Sequence, residues 1–199
     1  MAEQPQQLRA TYNDVHKLIR ESVKRIADFK PNLIIAIGGG GFFPARVLRT
    51  FLKDPTTNKD IPIHAIGLSL YEPVLGVTPE RLGTEVVRIQ WPASAKIFLG
   101  KRILIVDEVD DSRTTLQYAL AELQKDVNAE LQKLSESERD KNHPEFAVFV
   151  VHNKLKEKVG KLPATIPYYT GAEVPDLWLA YPWEAEDIDE HDRLAALQK

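Results

Sequence analysis

Apolar residues follow two patterns along this chain, a helical period and short unbroken runs, and these patterns predict helices and strands. From Tyr12 to Phe29 they follow a helical period, at Val15, Leu18, Ile19, Val23 and Ile26. Four other segments carry runs of apolar residues, LIIAI at 33–37, then 63–70, 102–106, and FAVFVV at 146–151. Strands that are apolar without alternation are typical of a parallel sheet covered on both faces.

The order strand, turn, helix occurs three times, which predicts an α/β fold with a doubly wound, mainly parallel central sheet. Further helices are expected from 42 to about 51, from 114 to about 133, and near 189–197. Asn13 or Asp14 is the expected cap of the first helix. The charged stretch at 131–145 (LQKLSESERDKNHPE) is expected to be a solvated connection.

One connection is too long for a compact domain. Residues 71–99 lack core character except for a short predicted strand at 86–90. A connection of this length usually forms a lid, a binding loop or a subdomain. We therefore expect one of these three in this segment.

Composition narrows the classes of function. The 199 residues suit one domain, and the absence of cysteine excludes disulfides and thiolate metal sites. The net charge is −3 and no basic cluster stands out, so no nucleic-acid partner is expected. The N-terminus has no signal-like apolar region and no apolar run reaches about 18 residues, so neither secretion nor membrane insertion is expected. The expected partner is a small molecule or a second copy of the chain.

Four glycines follow the first buried strand. A backbone of this kind approaches an anion closely, and the next helix directs its N-terminal amides at it. The dinucleotide fingerprint fails, because its third glycine falls on Phe43 or Pro44, and no Gly-Lys-Ser/Thr follows as in a P-loop. A flexible turn into a helix explains the glycines alone about as well as an anion site does.

The second loop, ILIVDEVDDSRTT at 103–115, joins four acids to a hydroxyl-rich helix start. Asp107 and Glu108 can accept from sugar hydroxyls or hold the waters of Mg²⁺. The residues from Asp111 to Thr115 offer hydroxyls and backbone amides, which is the chemistry of a phosphate cradle. A capping box and a solvated turn would explain any one acid but not all four. Ligands of parallel sheets bind at the carboxyl ends of the strands, where both loops lie.

This stretch resembles the phosphoribosyl diphosphate (PRPP) motif of the type I phosphoribosyltransferases. The wider chain, through LIIAIGGGGFFPARVLRTFL, LSLYE and VPDLWLAYPWE, is similar to the hypoxanthine-guanine phosphoribosyltransferases, in particular the fungal ones. The resemblance implies transfer of phosphoribose from PRPP to a 6-oxopurine, in a cytoplasmic homo-oligomer, usually a dimer or a tetramer. It also implies one domain over 1–199, with a core at about 12–155, a flexible lid at about 70–99, and a hood formed by about 156–199 and the N-terminal region.

The resemblance assigns roles to the residues that bind PRPP. It gives the ribose hydroxyls and the Mg²⁺ shell to Asp107 and Glu108, and the proton of the purine to Asp111 as general base. The remaining assignments are Asp111, Ser112, Arg113, Thr114 and Thr115 for the 5′-phosphate, Gly38, Gly39 and Gly40 for the diphosphate, and Ser69, Leu70 and Tyr71 for the lid. In this family the diphosphate loop often has a strained peptide bond.

For the purine base, the resemblance implies that Trp178 stacks on the ring and that the backbone of Leu179 reads its edge. Lys154 is the best match for the lysine that bonds the exocyclic oxygen, with His152 and Lys156 also within reach. Glu184 or Asp187 is the expected ligand of a second Mg²⁺.

Two positions depart from the family pattern, and a third has no role in it. Many relatives have glycine where this chain has Arg113, which either adds positive charge to the loop or points to solvent. Gly38 stands where some relatives have lysine or serine, so diphosphate contact there is expected from the backbone alone. Asp110 has no assigned role and is expected to face solvent.

Alternatives to a salvage transferase of broad base range also follow from these residues. The first is a xanthine-preferring phosphoribosyltransferase, since position 2 of the purine is read by segments that the sequence does not resolve. The second is a PRPP-sensing regulator without turnover, although it should show a basic surface. The third is a receiver-like signalling domain, but there the acid pair would follow the first strand.

Overall fold

The computed structural model describes residues 7–70 and 86–198. The side chains of residues 69, 70, 86, 87 and 89 are outside that description, as is Tyr71. The eight strands found there are β1 (Gln7–Arg9), β2 (Leu33–Gly38), β3 (Ile63–Leu70), β4 (Val86–Gln90), β5 (Arg102–Asp110), β6 (Glu145–Lys154), β7 (Tyr168–Val174) and β8 (Trp178–Ala180). The five α-helices are α1 (Tyr12–Phe29), α2 (Phe42–Phe51), α3 (Thr114–Leu131), α4 (Glu136–Asn142) and α5 (Ile188–Ala196).

The central sheet has the strand order β4-β3-β2-β5-β6-β7. The five neighbouring strands β3, β2, β5, β6 and β7 are parallel, and β4 pairs antiparallel with β3 at one edge. A separate small sheet pairs β1 with β8 in parallel. The predicted α/β class and the mainly parallel sheet are confirmed.

Two apolar layers cover the central sheet, which explains the unbroken apolar runs. Alternate residues of each strand face opposite layers: Ile34 and Leu104 pack with α1 and α2, whereas Ile35 and Ile105 pack with α3. Both sides of a strand are therefore removed from water, and an alternating polar face is not needed. None of the helices in the described ranges has the length and apolar character that crossing a membrane requires.

Two strands run further than the sequence predicts. β5 extends to Asp110, because its parallel ladder with β6 continues through Val109↔His152 and Asp110↔Asn153. The acids Asp107, Glu108 and Asp110 therefore stand on the strand itself rather than in the turn after it. β6 likewise extends to Lys154, which brings His152 and Lys154 onto the same rim.

Other differences are local. The cap of α1 is Thr11, whose hydroxyl accepts from the amide of Asp14 at 3.1 Å, while the Asp14 carboxylate accepts from the Thr11 amide at 3.0 Å. Asp14, one of the two expected caps, is thus the N3 residue of a capping box. The charged stretch at 131–145 contains α4, which begins with a second capping box formed by Ser135 and Glu138. The strand β1 was not predicted.

Candidate active site

A cavity of about 300 Å³ opens at the carboxyl ends of β2 and β5. Both rim loops predicted from the sequence contribute to it. Its described lining consists of Ile37, Gly38, Gly39, Gly40, Leu68, Asp107, Glu108, Val109, Asp110, Asp111, Ser112, Arg113, Thr115 and Leu116. The structure therefore gathers the glycine turn, the acid pair and the start of α3 around one space.

The glycine turn lies against the acid pair. A Cβ atom on Gly40 would fall 2.0 Å from the carboxyl carbon of Glu108, so only glycine leaves room for that carboxylate. Gly39 faces open space, with no atom within 4 Å of a Cβ built there. The peptide bond between Gly38 and Gly39 is cis. The turn thus presents backbone to the cavity beside a carboxylate.

The acid pair combines burial with like charge. Asp107 is buried, and this burial, together with the neighbouring Glu108 carboxylate, raises the pKa of Asp107 well above its usual range. Its Oδ1 accepts only a local hydrogen bond, from the Glu108 amide at 2.9 Å, among the contacts of the described residues. Oε2 of Glu108 is buried and has no hydrogen-bond partner among those residues. A buried carboxylate oxygen without a partner is unfavourable, and a hydroxyl donor or a cation would stabilise it.

The same pair has the ligand chemistry that suits Mg²⁺. Asp107 and Glu108 supply the oxygen ligands that this ion prefers, and the unpartnered oxygen of Glu108 is free to accept. Within 7–70 and 86–198, no cluster of three or more acids and histidines stands ready to hold a metal by itself. Mg²⁺ commonly binds through one or two carboxylates, its own waters and substrate phosphates. The pair therefore fits an ion that binds together with a phosphorylated ligand.

The start of α3 forms the hydroxyl-rich part of the rim. The hydroxyl of Ser112 donates to Oγ1 of Thr114 at 3.0 Å, and Arg113 precedes the helix without capping it through its side chain. The first amides of a helix lack intrahelical partners and carry the positive end of its dipole. Such a start is suited to binding a phosphate.

The Asp110 side chain does not face solvent, which corrects that expectation, and of the two alternatives for Arg113 the structure favours added positive charge over a side chain that points to solvent. The Asp110 side chain is 0% exposed, and Oδ2 accepts from Arg113 Nε at 2.8 Å and from the Tyr168 hydroxyl at 2.8 Å. The Arg113 guanidinium also lies over the Tyr168 ring, 4.8 Å from its centroid. Arg113 has a φ of 69°, in the left-handed region where glycine is least strained. This backbone conformation explains why glycine suits the position, and the ion pair holds arginine there.

Asp111 meets two lysines from β6 and the segment after it. Lys154 Nζ lies 3.0 Å from Oδ2 of Asp111, and Lys156 Nζ lies 2.9 Å from Oδ1. Asp176 shares both lysines, at 3.8 Å and 3.1 Å. Burial acts to raise the pKa of Asp111, but the two ammonium groups outweigh it, so that pKa is lowered and the carboxylate is ionised. Two lysines, Lys154 and Lys156, therefore stand at this site, where one was expected.

His152, the third residue considered for the base, is turned elsewhere. Its Nδ1 lies 2.9 Å from the Tyr181 hydroxyl, which donates to the backbone oxygen of Glu108 at 3.0 Å. Burial lowers the pKa of His152 to about 4, so the ring is neutral at pH 7. Tyr181 thus connects His152 on β6 to the backbone of the acid-bearing strand β5.

The other predicted residues stand further out. Trp178 is 62% exposed on β8, two residues from Asp176, whereas the Leu179 side chain is buried in the core. Glu184 is exposed in a short 3₁₀ turn at Pro182–Glu184 and is not among the described residues that line the cavity. Ser69 and Leu70 end β3, and the predicted lid residue Tyr71 lies outside the described residues.

Sequence reasoning missed four residues of this region: Lys158, Tyr168, Asp176 and Tyr181. Asp176 and Tyr181 lie inside the motif VPDLWLAYPWE, in which roles were assigned only to Trp178, Leu179 and Glu184. Lys158 and Tyr168 reach Asp110 from 48 and 58 residues away. No local pattern marks contacts at such separations.

The chain is similar to fungal phosphoribosyltransferases over most of its length. It is 51% identical to the hypoxanthine-guanine phosphoribosyltransferase of Schizosaccharomyces pombe over 94% of each chain. It is 50% identical to that of Saccharomyces cerevisiae, over 94% of this chain and 90% of the relative. It is also 46% identical to xanthine phosphoribosyltransferase 1 of Saccharomyces cerevisiae, over 94% of each. No family model matches the chain.

Solved structures have the same fold. A hypothetical protein of Neisseria gonorrhoeae with bound ppGpp superposes with a TM-score of 0.78 at 38% identity, over 99% of each chain. The purine phosphoribosyltransferase of Pyrococcus horikoshii superposes with a TM-score of 0.63 at 24% identity, over 91% of this chain and 96% of that one. The second likeness concerns the fold alone.

Proposed function

The chain belongs to the purine phosphoribosyltransferase family that includes these fungal hypoxanthine-guanine and xanthine enzymes, and on this premise we propose that it transfers phosphoribose from PRPP to a 6-oxopurine. Hypoxanthine, guanine and xanthine would give IMP, GMP and XMP with release of diphosphate, a reaction of purine salvage. The observation that carries the proposal is the single cavity shared by the glycine turn, the acid pair and the start of α3.

Three parts of the cavity suit three parts of PRPP. Asp107 and Glu108 would accept hydrogen bonds from the ribose hydroxyls, which would satisfy the buried oxygen of Glu108. Ser112, Thr114 and Thr115, with the first amides of α3, would hold the 5′-phosphate, and the amides of residues 38–40 would face the diphosphate. Mg²⁺ held at the acid pair would offset the negative charge of the diphosphate.

Asp111 is suited to the proton transfer. A purine nitrogen forms a bond to C1′ of the ribose while the bond from C1′ to the diphosphate oxygen breaks. The base loses a proton in this exchange, and Asp111, which is ionised, would accept it. Lys154 would then donate to the exocyclic oxygen at position 6, beside Lys156 as a second ammonium. Adenine carries an amino group there, which a lysine donor disfavours.

The remaining roles concern access to the site. Trp178 offers an exposed flat ring on which a purine could stack, and the backbone of Leu179 would contact the edge of the base. Glu184 would hold a second Mg²⁺. Ser69, Leu70 and Tyr71 would belong to a lid that excludes water during transfer, because water would otherwise hydrolyse PRPP.

The direct test is turnover. Purified protein is supplied with Mg²⁺, PRPP and one of four bases: hypoxanthine, guanine, xanthine or adenine. We expect nucleotide and diphosphate from at least one of the first three and none from adenine. If no base yields nucleotide, the transferase proposal is wrong; a single productive 6-oxopurine would instead identify a narrow preference, with xanthine as the principal alternative because of the 46% identical relative.

A second candidate, binding of PRPP or a nucleotide without turnover, is favoured by one observation. The 38% identical structure holds ppGpp, a guanine nucleotide with a ribose and 5′-phosphates, which are groups that the acid pair and the start of α3 would bind. Calorimetric titration with PRPP, GMP and ppGpp tests it beside the turnover assay. Tight binding in a protein that makes no nucleotide would favour the sensing role.

We further propose that the protein is a cytoplasmic homo-oligomer, most simply a dimer. This proposal is supported by the properties that the family resemblance implies. Light scattering on the purified protein measures the number of copies, and fractionation of cells measures the location.

A further inference from the structure

The 155–162 segment, directly after β6, packs against the 5′-phosphate loop (residues 111–115) without lining the described part of the cavity. Its Lys158 is only 13% exposed in the side chain. The Lys158 ammonium donates to the backbone oxygen of Asp110 at 2.7 Å and to that of Asp111 at 2.8 Å. The amide of Gly160 donates to the backbone oxygen of Ser112 at 2.9 Å. Three consecutive carbonyls are thus held by one segment.

These hydrogen bonds fix the direction of the peptide groups in the loop. An anion is held by backbone N–H groups, and a carbonyl rotated toward it would repel it. Because the carbonyls of Asp110, Asp111 and Ser112 are engaged by the 155–162 segment, rotating these peptides toward the cavity would break their hydrogen bonds to that segment. Because the N–H and C=O of a trans peptide point in opposite directions, the amides of residues 111–113 point away from the segment.

Close packing adds to this hold. A Cβ atom on Gly160 would fall 2.4 Å from the backbone oxygen of Arg113, so the two backbones touch where the chain enters α3. Lys158 also pairs with the Asp110 carboxylate at 3.6 Å, and the amide of Lys161 donates to Oε1 of Gln117 on α3 at 2.7 Å. The segment therefore contacts the strand before the loop, the loop and the helix after it.

We propose that Lys158 is a positioning residue for the 5′-phosphate loop: it holds the loop carbonyls away from the cavity and so makes the site selective for ligands that carry a 5′-phosphate. The inference rests on the proposed function only in assigning the 5′-phosphate to this loop. Lys158 touches no ligand in this arrangement; it acts through the backbone of Asp110 and Asp111.

The experiment compares a nucleoside with its phosphorylated form. Calorimetry measures binding of guanosine and of GMP to the wild type and to Lys158→Met, which keeps the length of the side chain but removes its donors. We expect GMP to bind about tenfold more weakly to the variant, the effect of one or two lost hydrogen bonds, and guanosine binding to change less than about twofold. In turnover, the KM for PRPP should rise while the KM for the purine stays constant.

Two matched variants separate positioning from a general loss of structure. Lys158→Arg retains donors and should recover most of the GMP affinity. Lys161→Met makes the same chemical change at an exposed position of the same segment and should leave both affinities unchanged. If Lys158→Met does not fold, Gly160→Ala tests the same contact, because its methyl group would displace the segment from Arg113 and should weaken GMP binding selectively.

The outcomes are distinguishable. Equal losses for guanosine and GMP in Lys158→Met, or no loss for either, would overturn the inference and leave the proposed function intact. A wild-type protein that binds GMP no more tightly than guanosine would overturn the assignment of the 5′-phosphate to this loop, and the inference with it. A selective loss of GMP affinity, restored by arginine, would support the inference even if turnover were absent.

Discussion

Arg113 donates from Nε to Oδ2 of Asp110 at 2.8 Å while its backbone holds a φ of 69°. The side chain thus neutralises a buried carboxylate, and the backbone occupies a region that disfavours side chains. Two substitutions separate these effects. Both variants lose the ion pair. Arg113→Ala keeps a side chain at the unfavourable φ, whereas Arg113→Gly relieves that backbone strain. We expect the glycine variant to be more stable than the alanine variant by about 1 kcal/mol.

Urea unfolding of the two variants measures this difference, with the wild type as reference. Both variants should be less stable than the wild type, because Asp110 remains buried beside fewer positive charges. An alanine variant at least as stable as the glycine variant would contradict the role given to the backbone.

Gly40 and Glu108 occupy one volume of the cavity, which predicts that their substitutions are not additive. Gly40→Ala places a methyl group where the Glu108 carboxylate lies, and should displace it and weaken PRPP binding. Glu108→Ala removes the same carboxylate, and Asp107→Ala should weaken PRPP comparably if both acids bind the ribose. Adding Gly40→Ala to Glu108→Ala should therefore cost little more affinity, whereas independent sites would sum. Calorimetry with PRPP on the three glycine and glutamate variants measures the coupling.

How much of this site could be read from the sequence depends on how local each contact is. The helix over residues 12–29 and the buried strands were predictable, because their apolar periods report which faces meet the core. The grouping of the two rim loops followed from the rule that parallel strands present their carboxyl ends together. The extension of β5 was not predictable, since charged residues in a central strand oppose the usual pattern of burial.

Asp110 shows why the remainder was missed. Its burial depends on Arg113, Lys158 and Tyr168, which come from three separate parts of the chain. A solvated acid is the ordinary expectation for such a residue, and only the packed fold supplies the partners that reverse it. The pairing of Lys154 with Lys156 around Asp111 likewise depends on how the chain turns after β6.

His152 predicts how stability depends on pH. Its burial outweighs the charge of Asp14 and lowers its pKa to about 4, whereas the unfolded chain protonates this histidine near pH 6.5. Between these values the unfolded state binds more protons, so the free energy of unfolding falls as the pH is lowered from 6.5 to 4. The contribution lost is on the order of 3 kcal/mol.

Urea unfolding at several pH values tests this dependence against His152→Gln, which cannot titrate. The variant should lose less stability than the wild type over the same interval. Parallel pH profiles for the two proteins would contradict the neutral, buried state of His152.

Asp111 predicts a division between turnover and binding. If it accepts the proton of the base, Asp111→Ala should lower kcat by about 10²–10⁴-fold, the usual contribution of a general base. The KM for PRPP should rise by a smaller factor, because the hydroxyls and amides of the phosphate loop remain. Steady-state rates on the best purine, with PRPP varied, measure both constants. A loss confined to KM would assign Asp111 to binding alone.

The contact of Lys156 with Asp111 predicts how turnover depends on pH. Lys156 contacts one carboxylate oxygen of Asp111, and Lys154 contacts the other. Both ammonium groups lower the pKa of Asp111 and so keep it ionised, and able to accept a proton, toward acid pH. Lys156→Met removes one of them, and the acid limb of kcat/KM should move to higher pH. Asp176→Asn should not move it upward, because it removes the carboxylate that competes for the two lysines. Lys161→Met controls for the loss of a nearby positive charge. An acid limb that shifts equally in the Lys156 and Lys161 variants would assign the effect to net charge rather than to this contact.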